Sequence, residues 1–334
     1  MQQDFNIIKM HFNSPLHLSK GKEDAYDSSE KFLHSDTLQS AIFACAIELF
    51  GNEVANKDFF KSFQVSSAFP FYDEIYFLPK PQKDFNIFET DKLKSKEIKK
   101  IKRTDFLSKE HFEKVLNGQK IDFESEKAKS NCYADAFEKE AEDFSIFKSE
   151  TNQRVTIPRL IDSDTTPFYM DRLYFREKAG LYFILQISEE KNKTKILAAL
   201  HHLGENGVGT DKNVGQGSFD ITESTIKIDL PENTGMYCNL SLFCPNSKEQ
   251  TPSLNESYYS LLKRGGWIAS PNNQNHGSWR KKSIYMFGEG SVFKSKEKPQ
   301  GKICDLKPEI LEKDTNPHSV WRDGRGLFLP MKLI

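Results

Sequence analysis

The chain has 334 residues, a formal net charge of −1, 37% hydrophobic and 28% charged residues, which describes a water-soluble globular protein long enough for two cored domains. The near-zero charge excludes a generally basic nucleic-acid coat, so any polyanion surface has to be local. No apolar run approaches the roughly 18 residues of a membrane span, and MQQDFNIIKM lacks the pattern of a secretory signal. The five cysteines (45, 132, 238, 244 and 304) are odd in number and carry no zinc-knuckle spacing, which fits a reduced, cytoplasmic setting.

In chain order, FNIIKMHF predicts a strand that ends at Ser14-Pro15. Leu38, Ala41, Ile42, Cys45, Ala46 and Leu49 recur at helical spacing and predict a helix over 36–50, with Ser35 as its N-cap, Asp36 at the positive end of its dipole and Gly51 as its stop. Residues 65–81 read as two short aromatic strands around Tyr72-Asp73-Glu74, with Pro70, Pro79 and Pro81 holding them at edges or ends. Residues 82–150, rich in Lys and Glu as in KLKSKEIKKIKR, read as a charged helical insertion with a solvated basic face.

Residues 152–187 predict a hairpin followed by a buried strand at 181–187. KTKILAALHHLG predicts a helix over 193–204 closed by Gly204, and a glycine-rich loop then leads into the strand SFDITESTIKI. The turn-rich 229–235 is taken as the domain boundary, dividing 1–228 from 229–334. Beyond it MYCNLSLFC reads as a strand, ESYYSLLKRG as a helix and SIYMFGEGSVF as a strand with glycine punctuation. The order of elements suggests an α+β chain of two ferredoxin-like units.

No residue set carries coherent catalysis. GVGTDKNVGQG is neither a Walker A loop nor a dinucleotide fingerprint, because it follows a helix and precedes a strand. Gly207, Gly209, Gly215 and Gly217 permit left-handed backbone and close approach to a phosphate chain, with Lys212 between them. His34-Ser35-Asp36 are adjacent, unlike a triad assembled in space, although His34 is a candidate acid–base for RNA cleavage. His201-His202 point apart on a helix and hold no metal together. Neither a metal nor a cofactor is expected.

Two stretches combine bases with aromatics. In 152–178, Arg154, Arg159 and Arg172 suit phosphates and Phe168 or Tyr169 suit unpaired bases; an ordinary strand pair with a buried aromatic face has the same composition. Around the polar loop SPNNQNHGS, Arg264, Trp267 and Arg280 form a second such surface, and Arg325 lies beside a glycine in the tail.

SPLHL, LHSDTLQSAI, SSAFPF followed by YFLPKP, NQRVTIPR, GVGTDKNVGQGSF and HSVWRDGRGLFLP occur in the order found in one CRISPR family. Through them the chain resembles the Csm-type RAMP subunit four of type III-A effectors over nearly its whole length; 82–150 lies outside the resemblance. The resemblance implies paired ferredoxin-like (RRM-type) domains and binding of the repeat-derived 5′ handle of the guide RNA (crRNA), with a β-hairpin thumb best matched from NQRVTIPR onward. It also implies contacts with the large polymerase-like subunit and a backbone RAMP subunit, and no nuclease role. Such loops often carry Lys or Arg beside the glycines; here Thr210-Asp211 precede Lys212. The competing expectation is a metal-independent RAMP endoribonuclease acting on repeat RNA, with His34 as base and Lys212 steadying phosphate charge.

Overall fold

The structure, a computed structural model, describes residues 1–20, 26–82, 87–89, 94–124, 127–139, 145–157, 164–232, 235–247, 252–268, 279–312 and 318–332. The chain is α+β, as expected. Its first 229 residues contribute β1 (Gln2–Phe12), α1 (Ser35–Phe50), α2 (Lys57–Lys61), β2 (Phe63–Val65), β3 (Phe69–Tyr72), β4 (Ile75–Pro79), α3 (Ser95–Arg103), β5 (Phe106–Ser108) and α4 (Lys109–Leu116). β6 (Ala128–Lys129), β7 (Cys132–Tyr133), β8 (Phe147–Thr156), β9 (Thr166–Phe175), β10 (Ala179–Ile187), α5 (Lys193–Asn206) and β11 (Phe219–Asp229) complete them. Most of these strands form one sheet in the order β11-β1-β10-β3-β4-β5-β7-β6, with β2 also pairing β10. β1 sits between β11 and β10 with Phe5, Ile7, Ile8 and Met10 all buried, the near-continuous apolar signature of a strand covered on both faces.

α1 buries Leu38, Ile42, Cys45 and Ala46, each of the larger side chains contributing roughly 1.5–3 kcal/mol on leaving water. Leu49, expected on the same face, is exposed. Gly51 ends the helix at φ 59°, a left-handed backbone that glycine takes without strain. The N-cap, however, is His34 and not Ser35. Ser35 is the first helical residue, and its hydroxyl accepts the N–H of Leu242 at 2.9 Å, 207 positions away. Gly204 lies inside α5 rather than beyond it, and the helix runs on to Gly207 at φ 74°. A Cβ at 204 would collide with the carbonyl of Phe219, so this glycine lets α5 close onto β11.

One other expectation is corrected in part. Among its described residues the stretch 82–150 is helical only in α3 and α4: β5, β6 and β7 extend the main sheet, and Phe88, Phe106, Phe112, Phe123, Tyr133 and Phe137 build an aromatic core beneath them. Its lysines occupy the exposed side of α3. Pro70 lies in a strand paired on both sides, and it keeps to the strand end, as expected: it stands at the start of β3, opposite Leu181 and one residue before the β4 ladder begins at Phe71.

The remaining residues give β12 (Met236–Asn239), β13 (Ser253–Tyr258), β14 (Leu261–Arg264), β15 (Ile284–Phe287), β16 (Val292–Lys294), β17 (Lys302–Asp305), the four-residue α6 (Glu309–Glu312), β18 (Trp321–Gly324) and β19 (Phe328–Pro330). One sheet runs β13-β16-β12-β19, and β14-β15 and β17-β18 are separate ribbons. The helix expected at ESYYSLLKRG is instead β13 and β14, because pairing with β16 and β15 overrides its helix-compatible composition. Met236, Cys238, Leu240, Val292, Leu327, Leu329 and Met331 join the core of the first 229 residues, so the two parts share apolar packing. Among the described residues no helix is long and apolar enough to cross a membrane.

Candidate nucleic-acid interface

β8 and β9 pair antiparallel from Phe147–Phe175 to Thr156–Thr166 and form a sheet of their own. The ribbon is anchored at its base, where Phe147, Met170 and Leu173 are buried, Leu16 bridges Leu173, and the Asp171 N–H donates to the Tyr26 carbonyl. Further out it leaves the core: Val155 is exposed and Tyr169 is 55% exposed. Phe168 is half-buried with its ring 5.5 Å from that of Tyr26. The distal aromatics are therefore on the ribbon's surface rather than in a core. Arg159 lies outside the described residues.

The glycine-rich loop packs against this base. Asp211 takes a left-handed backbone, φ 65°, and its carboxylate faces two arginines of the ribbon. Arg154 forms an ion pair with Asp211 Oδ2, and Arg172 Nη2 lies 3.5 Å from the same oxygen. Asp171 fastens the other side: it accepts the Ser29 N–H at 3.0 Å and the Ser149 hydroxyl, while His17 Nδ1–H donates to its carbonyl at 2.7 Å. Lys212, next to Asp211, is exposed.

The glycines approach protein, not solvent, at three of the four positions. A Cβ on Gly207, Gly209 or Gly217 would strike the carbonyls of Gln216, His17 or Val208 respectively. The amides of Thr210 and Gly217 donate to His17 and Pro15, stitching the loop to the segment after β1. Gly215, at φ 80°, has nothing within 4 Å of a Cβ position, so the open side of the loop is there.

The second basic-aromatic group divides in two. Trp267 is 56% exposed and carries the Arg280 guanidinium 4.8 Å over its ring, a cation–π pair between two residues that also bridge antiparallel through their backbones. Arg264 instead turns inward to Asp36, bonding it through Nε at 3.0 Å and Nη2 at 2.9 Å. Arg322 pairs with the same carboxylate, which is 0% exposed. The two guanidinium charges outweigh the burial penalty and hold the Asp36 carboxyl far below the ordinary range. Arg325 is occupied too: it pairs with Asp323 at 2.8 Å and donates to the Lys61 carbonyl at the end of α2.

His34 is buried, with Nδ1 2.8 Å from Glu289 Oε1, and the Ser67 hydroxyl donates to that carboxylate. Lys212 belongs to the opposite end of the helical layer. Glu48, late in α1, meets His202 at 3.0 Å and Asn206 at 3.2 Å, so the C-terminal ends of α1 and α5 lie together. His34 precedes α1 and Lys212 follows α5, leaving them about 20 Å apart by helix length. The geometry does not assemble the His34–Lys212 pair that RNA cleavage would need. Sequence reasoning missed His17, Tyr26 and Asp171 as partners of the ribbon, and it noted Asp211 only as an acidic residue in the glycine loop; the SPLHL motif and that loop were the signals that pointed toward His17 and Asp211.

Residues 232–331 match the family described as the CRISPR Csm4 C-terminal domain. The chain is 25% identical to the CRISPR system Cms protein Csm4 of Methanocaldococcus jannaschii, over 97% of this chain and 96% of that protein. It is 26% identical to the protein of the same name from Thermococcus onnurineus, over 78% and 81%. Its fold resembles a chain in the crystal structure of a Csm1-Csm4 cassette in complex with cA4, with TM-score 0.64 and 19% identity over 99% of each chain. It also resembles a chain of the Csm3-Csm4 subcomplex of the type III-A CRISPR-Cas interference complex, with TM-score 0.61 and 20% identity over 99% of this chain and 100% of that one. Sequence matches across both parts of the chain and an end-to-end likeness of fold agree: the chain is similar over nearly its whole length to Csm4 proteins of CRISPR systems, and its residues 232–331 match the Csm4 C-terminal domain.

Proposed function

We propose that this chain is the non-catalytic subunit of a cytoplasmic type III-A CRISPR effector that grips the 5′ repeat-derived handle of the guide RNA and joins the large polymerase-like subunit to the backbone RAMP subunits. In the similar structures Csm4 accompanies Csm1 and Csm3, which supports the partners. The observation that carries the RNA reading is the junction of ribbon and loop. Arg154 and Arg172 converge on one point, exposed Lys212 lies beside them, Phe168 shares the rung of Arg154, and Tyr169 stands exposed one rung away on the other face of the ribbon. Guanidinium forks suit phosphates and exposed rings suit unpaired bases, so the arrangement fits a single strand laid along a thumb formed by 152–178.

The order β1-α1-β3-β10-α5-β11, with β11-β1-β10-β3 adjacent, supports a ferredoxin-like unit within 1–228. We place a second, helix-poor relative of it in 229–334. Trp267 and Arg280 form an auxiliary surface, and the glycines at 207, 209 and 217 shape the loop that presents Lys212. Arg264 and Arg325 keep RNA-facing parts in place through Asp36 and Asp323.

Titration of the effector with handle RNA over a range of salt tests this. Arg154→Ala or Arg172→Ala should flatten the salt slope by roughly 0.7 each. Tyr169→Ala should cost roughly 1–3 kcal/mol with little change of slope. Unchanged affinity and slope in a folded complex for all three would remove the thumb assignment and move attention to Trp267 and Arg280.

A further inference from the structure

The junction of ribbon and loop holds more hydrogen-bonding capacity than it uses. Five buried side-chain polar atoms lack a partner among the described residues, and three of them are here: His17 Nε2, Arg172 Nε and Gln216 Oε1. His17 is only 1% exposed. Unpaired buried polar atoms are costly, so three on residues of one junction mark a place with room for additional polar groups.

What fills the point now is a poor match. A guanidinium is a planar fork of N–H donors that pairs best with two oxygens at once. Asp211 offers both arginines the same atom, Oδ2, and Arg172 reaches it only at 3.5 Å. The pair is also open to water: Arg154 is 36% exposed and Arg172 17% exposed in their side chains. Solvent screening keeps such a pair weak. Around the opening lie exposed Lys212 and the unobstructed side of Gly215.

From this we infer that Asp211 is a built-in stand-in for an RNA backbone phosphate: in the free protein its carboxylate occupies the Arg154–Arg172 seat, and a phosphodiester of the bound strand displaces it. The inference rests on the thumb reading above and deepens it. Two non-bridging phosphate oxygens serve two forks where one carboxylate oxygen serves both incompletely; Arg172 Nε becomes available as a donor to the phosphate, while His17 Nε2 and Gln216 Oε1, which are acceptors, take hydrogen bonds from water ordered by it. Pairing with Asp211 also keeps the empty site from presenting a bare double positive charge, in keeping with a chain whose net charge is −1.

The sign of one substitution separates this from a structural strut. Asp211→Asn removes the charge and keeps a residue type that accepts left-handed backbone. Asp211→Gly suits the same backbone and removes the side chain. The full-length protein, co-purified with its partners and stripped of RNA, is titrated with a single-stranded RNA oligonucleotide of the handle sequence. Both variants should bind several-fold tighter, on the order of five-fold, with a salt slope steeper by roughly 0.7 for each arginine released. Unchanged or weaker binding by both variants overturns the displacement. If Arg154→Gln and Arg172→Gln still weaken binding in that case, the thumb reading survives and only the stand-in fails. If the arginine variants are silent as well, the thumb reading fails with it.

Discussion

Asp36→Asn is the substitution that probes most deeply how the two parts of the chain are held together. Asp36 sits at the start of α1 with no exposure, between Arg264 and Arg322 from the C-terminal part, and its Oδ1 also accepts the Thr37 N–H at 2.7 Å. Asparagine keeps the shape and one acceptor but removes the charge. Arg322, whose side chain is nearly as buried, then faces a neutral amide and the Gly265 carbonyl, which it reaches at 2.7 Å, without a counter-charge. Breaking a buried ion pair from one side costs roughly 3–5 kcal/mol. At about 2–4 °C per kcal/mol, the figure for domains of 150–250 residues, the melting midpoint should fall by roughly 6–20 °C. Thermal unfolding followed by circular dichroism at neutral pH measures it, with Glu205→Gln on the exposed side of α5 as a control expected within about 0.5 kcal/mol of the parent. Asp36 also sets an acid limit. A depressed folded-state pKa contributes stability above the ordinary carboxylate range, near 3.8, and loses it as pH falls toward the folded value, so Asp36→Asn should be less sensitive to acid. A loss below about 1 kcal/mol would refute the view that this carboxylate clamps the two parts.

Three other outcomes follow from named contacts. Arg325→Ala removes the donor to the Lys61 carbonyl and the partner of Asp323, so it should lower stability by roughly 1–3 kcal/mol while leaving the salt slope of RNA binding unchanged; a flattened slope would make Arg325 a phosphate contact. Glu289 raises the His34 pKa against the opposing pull of burial, so the pair's contribution is complete below about 6.5 and lost as pH rises through the higher folded value; urea titrations should show this alkaline decline in the parent and its absence in His34→Gln. Gly204→Ala should destabilise despite a helix-propensity gain of about 1 kcal/mol, because the new Cβ meets a backbone carbonyl that cannot rotate away; a higher melting midpoint would show that α5 can lift from β11.

The elements legible in the sequence are those whose signal is local. β1, α1, β10 and β11 follow from apolar periodicity, and the ends of α1 and α5 follow in part from glycine. What escaped depends on partners far along the chain. ESYYSLLKRG has residues content in a helix, and only the presence of β15 and β16 makes it two strands. Ser35 has the type and place of an N-cap, but Leu242 draws its hydroxyl away. In 82–150 the lysines masked a regular supply of aromatics, which were the better guide to a buried extension of the sheet. The candidate site was legible by residue type and not by pairing. Arg154 and Arg264 look alike in sequence, yet one meets a half-open carboxylate on a loop and the other a buried one in a helix. Likewise Cys244 approaches Cys304, with sulfurs 3.7 Å apart, rather than its sequence neighbour Cys238.

The central claim is that the ribbon of β8 and β9 and its glycine loop hold the handle of a guide RNA. Ultraviolet crosslinking of the tagged protein, co-purified with its CRISPR neighbours, followed by sequencing of the attached RNA and mass spectrometry of the crosslinked peptides, tests it in one experiment. The expected reads begin with the repeat-derived 5′ handle, and the crosslinks fall on Phe168, Tyr169 or the 207–217 loop. Guide reads crosslinked elsewhere, or attached RNA with no repeat-derived sequence, would contradict it.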